Sequence, residues 1–389
     1  MVPEGWRTAN ARQICSKVTD GTHDTPIPVD SGVPYITAIH VKDGRIRFDD
    51  CLFLTEDDHR EIYRRCNPQF GDLVVVNIGA GIGQCAAVNV TFEFSMKNVA
   101  LLKPNPEQID PGFFFQAFRS EESRIGHEAR SGGAQPFISL RHLGQLRFLI
   151  PTMAEQKKIA EILSTWDAAI ETTEELLANA EAQKRALMQQ LLTGKRRLNG
   201  HVSNDWRDSL LVDAFDFING RAFKPSDWGV SGLPIVRIQN LTKSSDTLNR
   251  FSGHVEDKHL VRYGDFLLSW SATLETFIWK DEDAVLNQHI FKVVPRADID
   301  RNFGFYLISF EIDNLRSKVH GTSMKHITKK SLSKISARLP SYREQVAISA
   351  VLNSAANTEE LYRRDLARLI REKRGLMQNL LTGKRRVTV

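Results

Sequence analysis

The residues best suited to chemistry in this chain are scattered glycines, lysines and cysteines, and none completes a catalytic motif. Gly79-Ala80-Gly81-Ile82-Gly83 has the glycine density of a dinucleotide loop, but its spacing is not G-x-G-x-x-G. The matching stretch of the second half, Ser269 to Thr276, has no glycine at all. Thr193-Gly194-Lys195 and Thr382-Gly383-Lys384 lack the upstream glycine and the following Ser or Thr of a phosphate-binding P-loop. Asn105-Pro106-Glu107 falls short of the Asn-Pro-Pro-aromatic motif of an adenine methyltransferase. The four cysteines, Cys15, Cys51, Cys66 and Cys85, include no Cys-x-x-Cys pair. That spacing argues against structural zinc and a disulfide framework, and it fits a reducing compartment. The expectation is a chain with no catalytic, cofactor-binding or metal-binding residues of its own.

What remains is binding chemistry. One basic, glycine-containing stretch runs Arg124, His127, Arg130, Gly132-Gly133, Gln135, Arg141, His142, Arg147. A second runs Lys318, His320, Gly321, Lys325, His326, Lys329, Lys330, Lys334. A glycine turn flanked by cations suits close approach to phosphates, and Gln or Arg there can read base edges. The candidates for DNA contact are Arg130, Gln135 and Arg141, then Arg221, Lys224, Gln239, Asn240, Lys325 and Lys329. For any one of them a solvated charged face is the competing account. The aromatic rows Phe113-Phe114-Phe115 with Phe118, and Phe305-Tyr306 with Phe310, could stack on bases, but core packing explains them better. A net charge of +5 permits a polyanionic partner without demonstrating one.

These candidates must be positioned by folded elements, and the chain is long enough for two or three domains at 389 residues. Its 41% hydrophobic and 25% charged content are those of a globular protein. No run approaches the roughly 20 apolar residues of a membrane span. The N-terminus has no apolar signal core, so a cytoplasmic protein is expected. Short apolar runs read as strands: Tyr35 to Val41 and Ile235 to Leu241, Asp72–Gly79 and Asp265–Ala272, Asn98–Pro104 and His289–Pro295.

The chain also repeats itself. Pro151 to Arg197 aligns without a gap with Pro340 to Arg386, an offset of 189. Glu155-Gln156 matches Glu344-Gln345, and Leu187–Arg197 matches Leu376–Arg386 with one change, Gln190 to Asn379. Upstream the offset drifts: Trp6 with Trp206 at 200, Gly71-Asp72 with Gly264-Asp265 at 193. Loops absorb insertions, whereas a packed helix loses register with one added residue. Each half is therefore a variable domain followed by a stiff helix. Thr152 and Ser341, three residues before a Glu, are capping boxes, and Gly194 and Gly383 suit the helix ends.

Between these signals runs a heptad seam. In the first helix it includes Ile159, Leu163, Trp166, Ile170, Leu177, Lys184, Leu187 and Leu191. In the second it includes Ile348, Leu352, Leu366, Leu369, Lys373, Leu376 and Leu380. The aligned lysines either fix register or snorkel to solvent. A helix of about 40 residues rises roughly 60 Å. Two such seams in one chain are expected to pack together, and an antiparallel pair would give a two-fold pseudo-repeat.

Taken together, a variable domain, P-x-x-x-EQ-x-x-I-x-x-x-L, a long helix and L-x-Q-x-LLTGK-R, all twice over, resemble the specificity (S) subunit of type I restriction-modification enzymes, from Trp6 through Arg386. The fold class so expected is α+β: two β-rich mixed domains linked by two long antiparallel, coiled-coil-like helices. The resemblance implies target recognition domains at 1–150 and 198–339, a central conserved helix at 151–197 and a distal one at 340–389. It further implies that each variable domain reads half of a split double-stranded DNA target. The helix seam then fixes the spacer and docks two methyltransferase (M) subunits. S-adenosylmethionine is expected on those partners, and ATP and Mg on any restriction (R) subunit. A coiled-coil scaffold that binds only proteins is the alternative from another class, and a self-sufficient nuclease or methyltransferase is a third.

Overall fold

The computed structural model describes residues 2–79, 81–130, 137–200, 206–271, 273–318 and 332–389. They form two compact units, Met1–Glu174 with Arg364–Val389, and Glu175–Arg363. The first contains a four-stranded antiparallel sheet in the order Cys15–Asp20, Val99–Pro104, Leu73–Val76, Cys85–Ala87. Leu73-Val74-Val75-Val76 is buried on both faces, as an uninterrupted apolar run requires. Helix Pro111–Arg130 covers the sheet with Phe113, Phe114 and Phe118, all fully buried. Those aromatics belong to the core. A second, three-stranded sheet places Val33–Thr37 between Leu52–Leu54 and Ser95–Lys97.

The second unit repeats this plan. Its main sheet runs Phe215–Asn219, Ile290–Pro295, Phe266–Ser269, Glu275–Ile278, under helix Arg301–Lys318. Its other sheet sets Leu233–Val236 beside Ala284–Leu286, parallel as in the first unit. The strands expected to reach Val41 and Leu241 stop earlier, at Thr37 and Val236. The cause is local. His40 Nδ1 accepts the Thr37 N–H at 2.9 Å and Asn240 Oδ1 accepts the Arg237 N–H at 3.1 Å, so the chain curls into a short helical turn.

The long helices span Met153–Leu192 and Tyr342–Leu380. Thr152 Oγ1 accepts the Glu155 N–H at 3.3 Å, and Ser341 Oγ accepts the Glu344 N–H at 3.4 Å. Their far ends close alike, with Arg196 N–H donating to Gln190 O and Arg385 N–H to Asn379 O, across glycines at φ +70° and +68°. Only glycine adopts that conformation cheaply.

Within the first unit the start of the central helix lies against the end of the distal one. Glu155 accepts Arg386 Nε at 2.7 Å and Trp6 Nε1 at 3.2 Å, and the guanidinium stands 5.6 Å from the Trp6 ring centre. Within the second, Glu344 accepts Arg197 Nε at 2.7 Å and Trp206 Nε1 at 3.2 Å, with 5.5 Å from cation to ring. The neighbouring glutamines join the aromatic helices to the same point. Gln156 accepts the Asp110 N–H and Gln345 the Asp300 N–H, both at 2.8 Å. Asp110 and Asp300 in turn cap Phe113 and Phe303.

Farther along, Asp167 accepts Lys373 Nζ at 2.5 Å and Glu359 accepts Lys184 Nζ at 2.8 Å. Each unit therefore holds its two helix segments antiparallel. Lys373 is only 5% exposed, and burial pulls its amine below the ordinary lysine value while Asp167 opposes the shift. Ile159, Leu163, Leu191, Ile348, Leu352 and Leu380 are buried. Trp166, Ile170, Leu177, Leu187, Leu366, Leu369 and Leu376 are half-buried.

Arg197→Met should lower unfolding stability by about 3 kcal/mol in urea titrations, because it strands the fully buried Glu344. Arg386→Met should cost less, since that guanidinium is 43% exposed against 21% for Arg197. Burial alone would raise the Glu155 carboxyl, but Arg386 and Thr152 hold it below the ordinary carboxylate value. A lowered carboxylate contributes stability that is present at neutral pH and lost as pH falls through its folded value. The stability gap between the wild type and Arg386→Met should accordingly close on acidification; a gap that stays constant would show the pair to be electrostatically idle.

Candidate nucleic-acid interface

Antiparallel pairing gathers several loops at one end of each main sheet. In the first unit Val99 pairs with Val76 and Ala100 with Asp20, so segments 21–25, 77–79 and 96–98 leave the sheet together. In the second unit Ser269 pairs with Ile290 and Asn219 with Phe291, which gathers 220–224, 270–271 and 287–289. The smaller sheet feeds the same end. Thr37 pairs with Lys97, which Thr22 bridges from the other side, while Val236 pairs with Leu286 and Arg221 bridges Asn287. Three chain segments cross there. A Cβ on Gly21 would lie 2.0 Å from Met96 O, and one on Gly220 2.1 Å from Asn287 O. Glycine is required at both positions because the backbones touch.

The side chains displayed differ. In the first unit Asp20 is buried and takes Arg65 Nη2 at 2.5 Å and His23 Nε2 at 2.9 Å, and Lys97 reaches the Thr25 hydroxyl. In the second, Arg221 stands 5.2 Å from the Phe223 ring centre and 4.7 Å from that of Phe251. Arg237 lies 4.2 Å over Trp228, whose ring is 42% exposed. Trp270 packs at 5.3 Å on His289 and donates to Asn219 Oδ1. Burial, aided by Lys258, draws His259 below its ordinary value, favouring the neutral ring. Guanidinium groups held on aromatic faces at an exposed edge suit phosphates and stacked bases.

Of the residues singled out by sequence, Arg221 bridges Asn287 and donates its N–H to Leu286 O, and Gln239 and Asn240 lie in the turn Ile238–Leu241 that follows the strand paired with Leu286. Lys224 is exposed beside them and starts the turn Pro225–Asp227. Asn240 departs from the role of a free base reader, since its amide also donates to Ser245 O and Thr247 O and staples the loop. Arg130 is exposed at the end of its helix, beside Gly126 and Ile82, and Arg141 is exposed in the turn of helix Leu140–Gln145. Gln135, Lys325 and Lys329 lie outside the described residues. Gly81-Ile82-Gly83 proves to be part of a turn between paired strands: a Cβ on Gly83 would lie 2.9 Å from the Gly126 nitrogen, so the turn packs directly on helix Pro111–Arg130.

Sequence reasoning missed His23, Lys97, Arg237 and Trp270. Asp20-Gly21 and Asn219-Gly220, each ending a strand, were the available signal. Among the described residues no group of three or more His, Cys, Asp or Glu could hold a metal, and no helix is long and apolar enough to cross a membrane.

The sequence model of the type I restriction modification DNA specificity domain matches residues 3–182 and again 203–370. The chain belongs to this family. It is a DNA specificity subunit and not one of the catalytic subunits. It is 27% identical over 308 residues to the type I restriction enzyme MjaVIII specificity subunit of Methanocaldococcus jannaschii, covering 72% of this chain and 71% of that one. The putative MjaX specificity subunit of the same organism is 24% identical, with 99% and 95% covered. Among solved structures, the S subunit of a type I system from M. genitalium shares the fold at a TM-score of 0.65 and 15% identity, covering 98% of this chain and 96% of that one.

Arg221→Ala should weaken duplex binding by the specificity subunit about equally across sequences, and reduce the slope of log affinity against log salt by about one. Fluorescence anisotropy at several salt concentrations reads both; an unchanged slope would remove Arg221 from the phosphate-contacting set.

Proposed function

We propose that this specificity subunit reads a bipartite, asymmetric double-stranded DNA target, one half-site with each variable domain, and recruits two methyltransferase subunits and, for cleavage, restriction subunits. The observation that carries the reading is the doubled loop end. One framework of three crossing segments occurs twice in the chain, and the two copies present different side chains. Unlike surfaces on like frames fit unlike half-sites. The domain limits follow the expectation from sequence: readers at 1–150 and 198–339, helices at 151–197 and 340–389.

The long helices are assigned the part of a ruler, much as dimer spacing sets half-site spacing elsewhere. Support comes from their unbroken helical register and nearly equal length, 40 and 39 residues. Their seam residues, Ile159 to Leu191 and Ile348 to Leu380, serve the pairing, and their outer faces remain for methyltransferase docking. S-adenosylmethionine belongs to those partners, and ATP with Mg to the restriction subunits. The protein-only scaffold is disfavoured, because a scaffold gives no reason for guanidinium groups held on aromatic faces at the loop end of the second unit.

Four residues inserted into Met153–Leu192 should change the spacer between the half-sites, or abolish assembly, while both half-site sequences stay as they were. Mapping methylated adenines in cells with the wild-type or the lengthened chain measures this, and altered half-site letters would count against a ruler. Exchange of residues 1–150 for another such domain should alter one half-site and spare the other.

A further inference from the structure

At the loop end of each unit the turn that follows the inner strand of the smaller sheet opens on the same inward hydrogen bond. In the first unit it is Ala38–His40 and in the second Ile238–Leu241. The residue before each turn, Thr37 or Arg237, donates its N–H inward to the third residue after it, His40 or Asn240. Those receiving side chains are locked: His40 is buried and its other ring nitrogen faces Asp50 O at 3.4 Å, while the Asn240 amide donates to Ser245 O and Thr247 O. With the third position turned in, the second is thrown out. It holds Ile39, 78% exposed, in one unit and Gln239, also exposed, in the other.

A lone exposed isoleucine requires no explanation, since much of any protein surface is apolar. Ile39 differs because the fold fixes its backbone through the same inward hydrogen bond that fixes Gln239. Each also stands beside the crossing segments where cations collect, Lys97 in one unit and Arg221 with Arg237 in the other. A rigid turn that keeps its frame and changes only its outward side chain has the form of an interchangeable reader.

We propose that this position reads a base edge in the major groove, Gln239 an adenine through its N6 amino group and N7, and Ile39 a thymine through its 5-methyl group. The assignment rests on the DNA reading above and adds which position does the reading and which base it takes. An amide can donate to N7 and accept from the N6 amino group at once, and thymine alone offers a methyl to an aliphatic side chain.

The test uses the full chain assembled with its methyltransferase partner, selected on a library of random duplexes and sequenced. Gln239→Ala should reduce the preference for one adenine by roughly tenfold, within one half-site. Gln239→Glu should move that position toward cytosine, whose amino group a carboxylate accepts. The untouched half-site serves as the control for folding. For Ile39 the selected duplex is remade with single thymines replaced by uracil. Wild-type binding should fall about fourfold at one of them, the value of one buried methyl-sized group, and Ile39→Ala should show no such fall. If these variants keep the wild-type letters at wild-type strength, or lose both half-sites together, the assignment is overturned while the DNA reading stands. A wild-type complex that selects no letters would overturn both.

Discussion

The structure depends on a carboxylate placed where three parts of the chain meet. Glu155 and Glu344 each begin a long helix, and each is buried. A buried carboxylate is costly unless its oxygens are matched, and here a guanidinium and an indole N–H supply the match at both, joined at Glu155 by the Thr152 cap. The guanidinium comes from the end of the opposite helix and the indole from just ahead of the first strand of the globular domain. A misplaced helix would strand the charge, so the penalty falls on wrong arrangements more than it rewards the right one. Within each unit that penalty specifies direction, register and the seat of the globular domain together.

This requirement explains the constant offset of the repeat. Glu155 to Arg197 and Glu344 to Arg386 span the same number of residues. Every helix residue turns its successors by about 100°, so an insertion would carry the arginine off the face that meets its glutamate. Loops between strands face no such restriction, and there the offset drifts. The glycine of each Thr-Gly-Lys run has the same origin. It takes up the left-handed turn that brings the arginine back over the tryptophan, so the run resembles a phosphate-binding loop for reasons of capping.

Much of this was legible in the sequence because it is periodic or local. Helix starts, helix ends, the seam positions and the three main strand pairs each carry a signal within a few residues. The acidic partners of the seam lysines were hidden for a specific reason. Lys184 and Lys373 align at the repeat offset, but Asp167 aligns with Ala356 and Glu359 with Ile170, so the acids sit one turn apart and comparison of the copies passes over them. His23, Lys97 and Trp270 were hidden because their meeting depends on sheet order, which no spacing encodes. Asn240 had the chemistry of a base reader; only the backbone shows that both ends of its amide are already engaged.

A frame carried twice with unlike outward side chains must vary its surface without losing its fold, and the arrangement of polar groups meets that need. The side chains that hold the loop end together point inward: the His40 ring, the Asn240 amide, and the glycines whose backbones touch their neighbours. Each satisfies buried backbone donors or fits a space with no room for a Cβ, so substitution there would disturb the folded core. The positions between them, Ile39 and Gln239, carry no such duty and have been free to become an alkyl group in one half and an amide in the other. Where backbone donors are satisfied from within, outward chemistry can change at little cost to stability. One chain can thus carry the same frame twice and present two different surfaces on it.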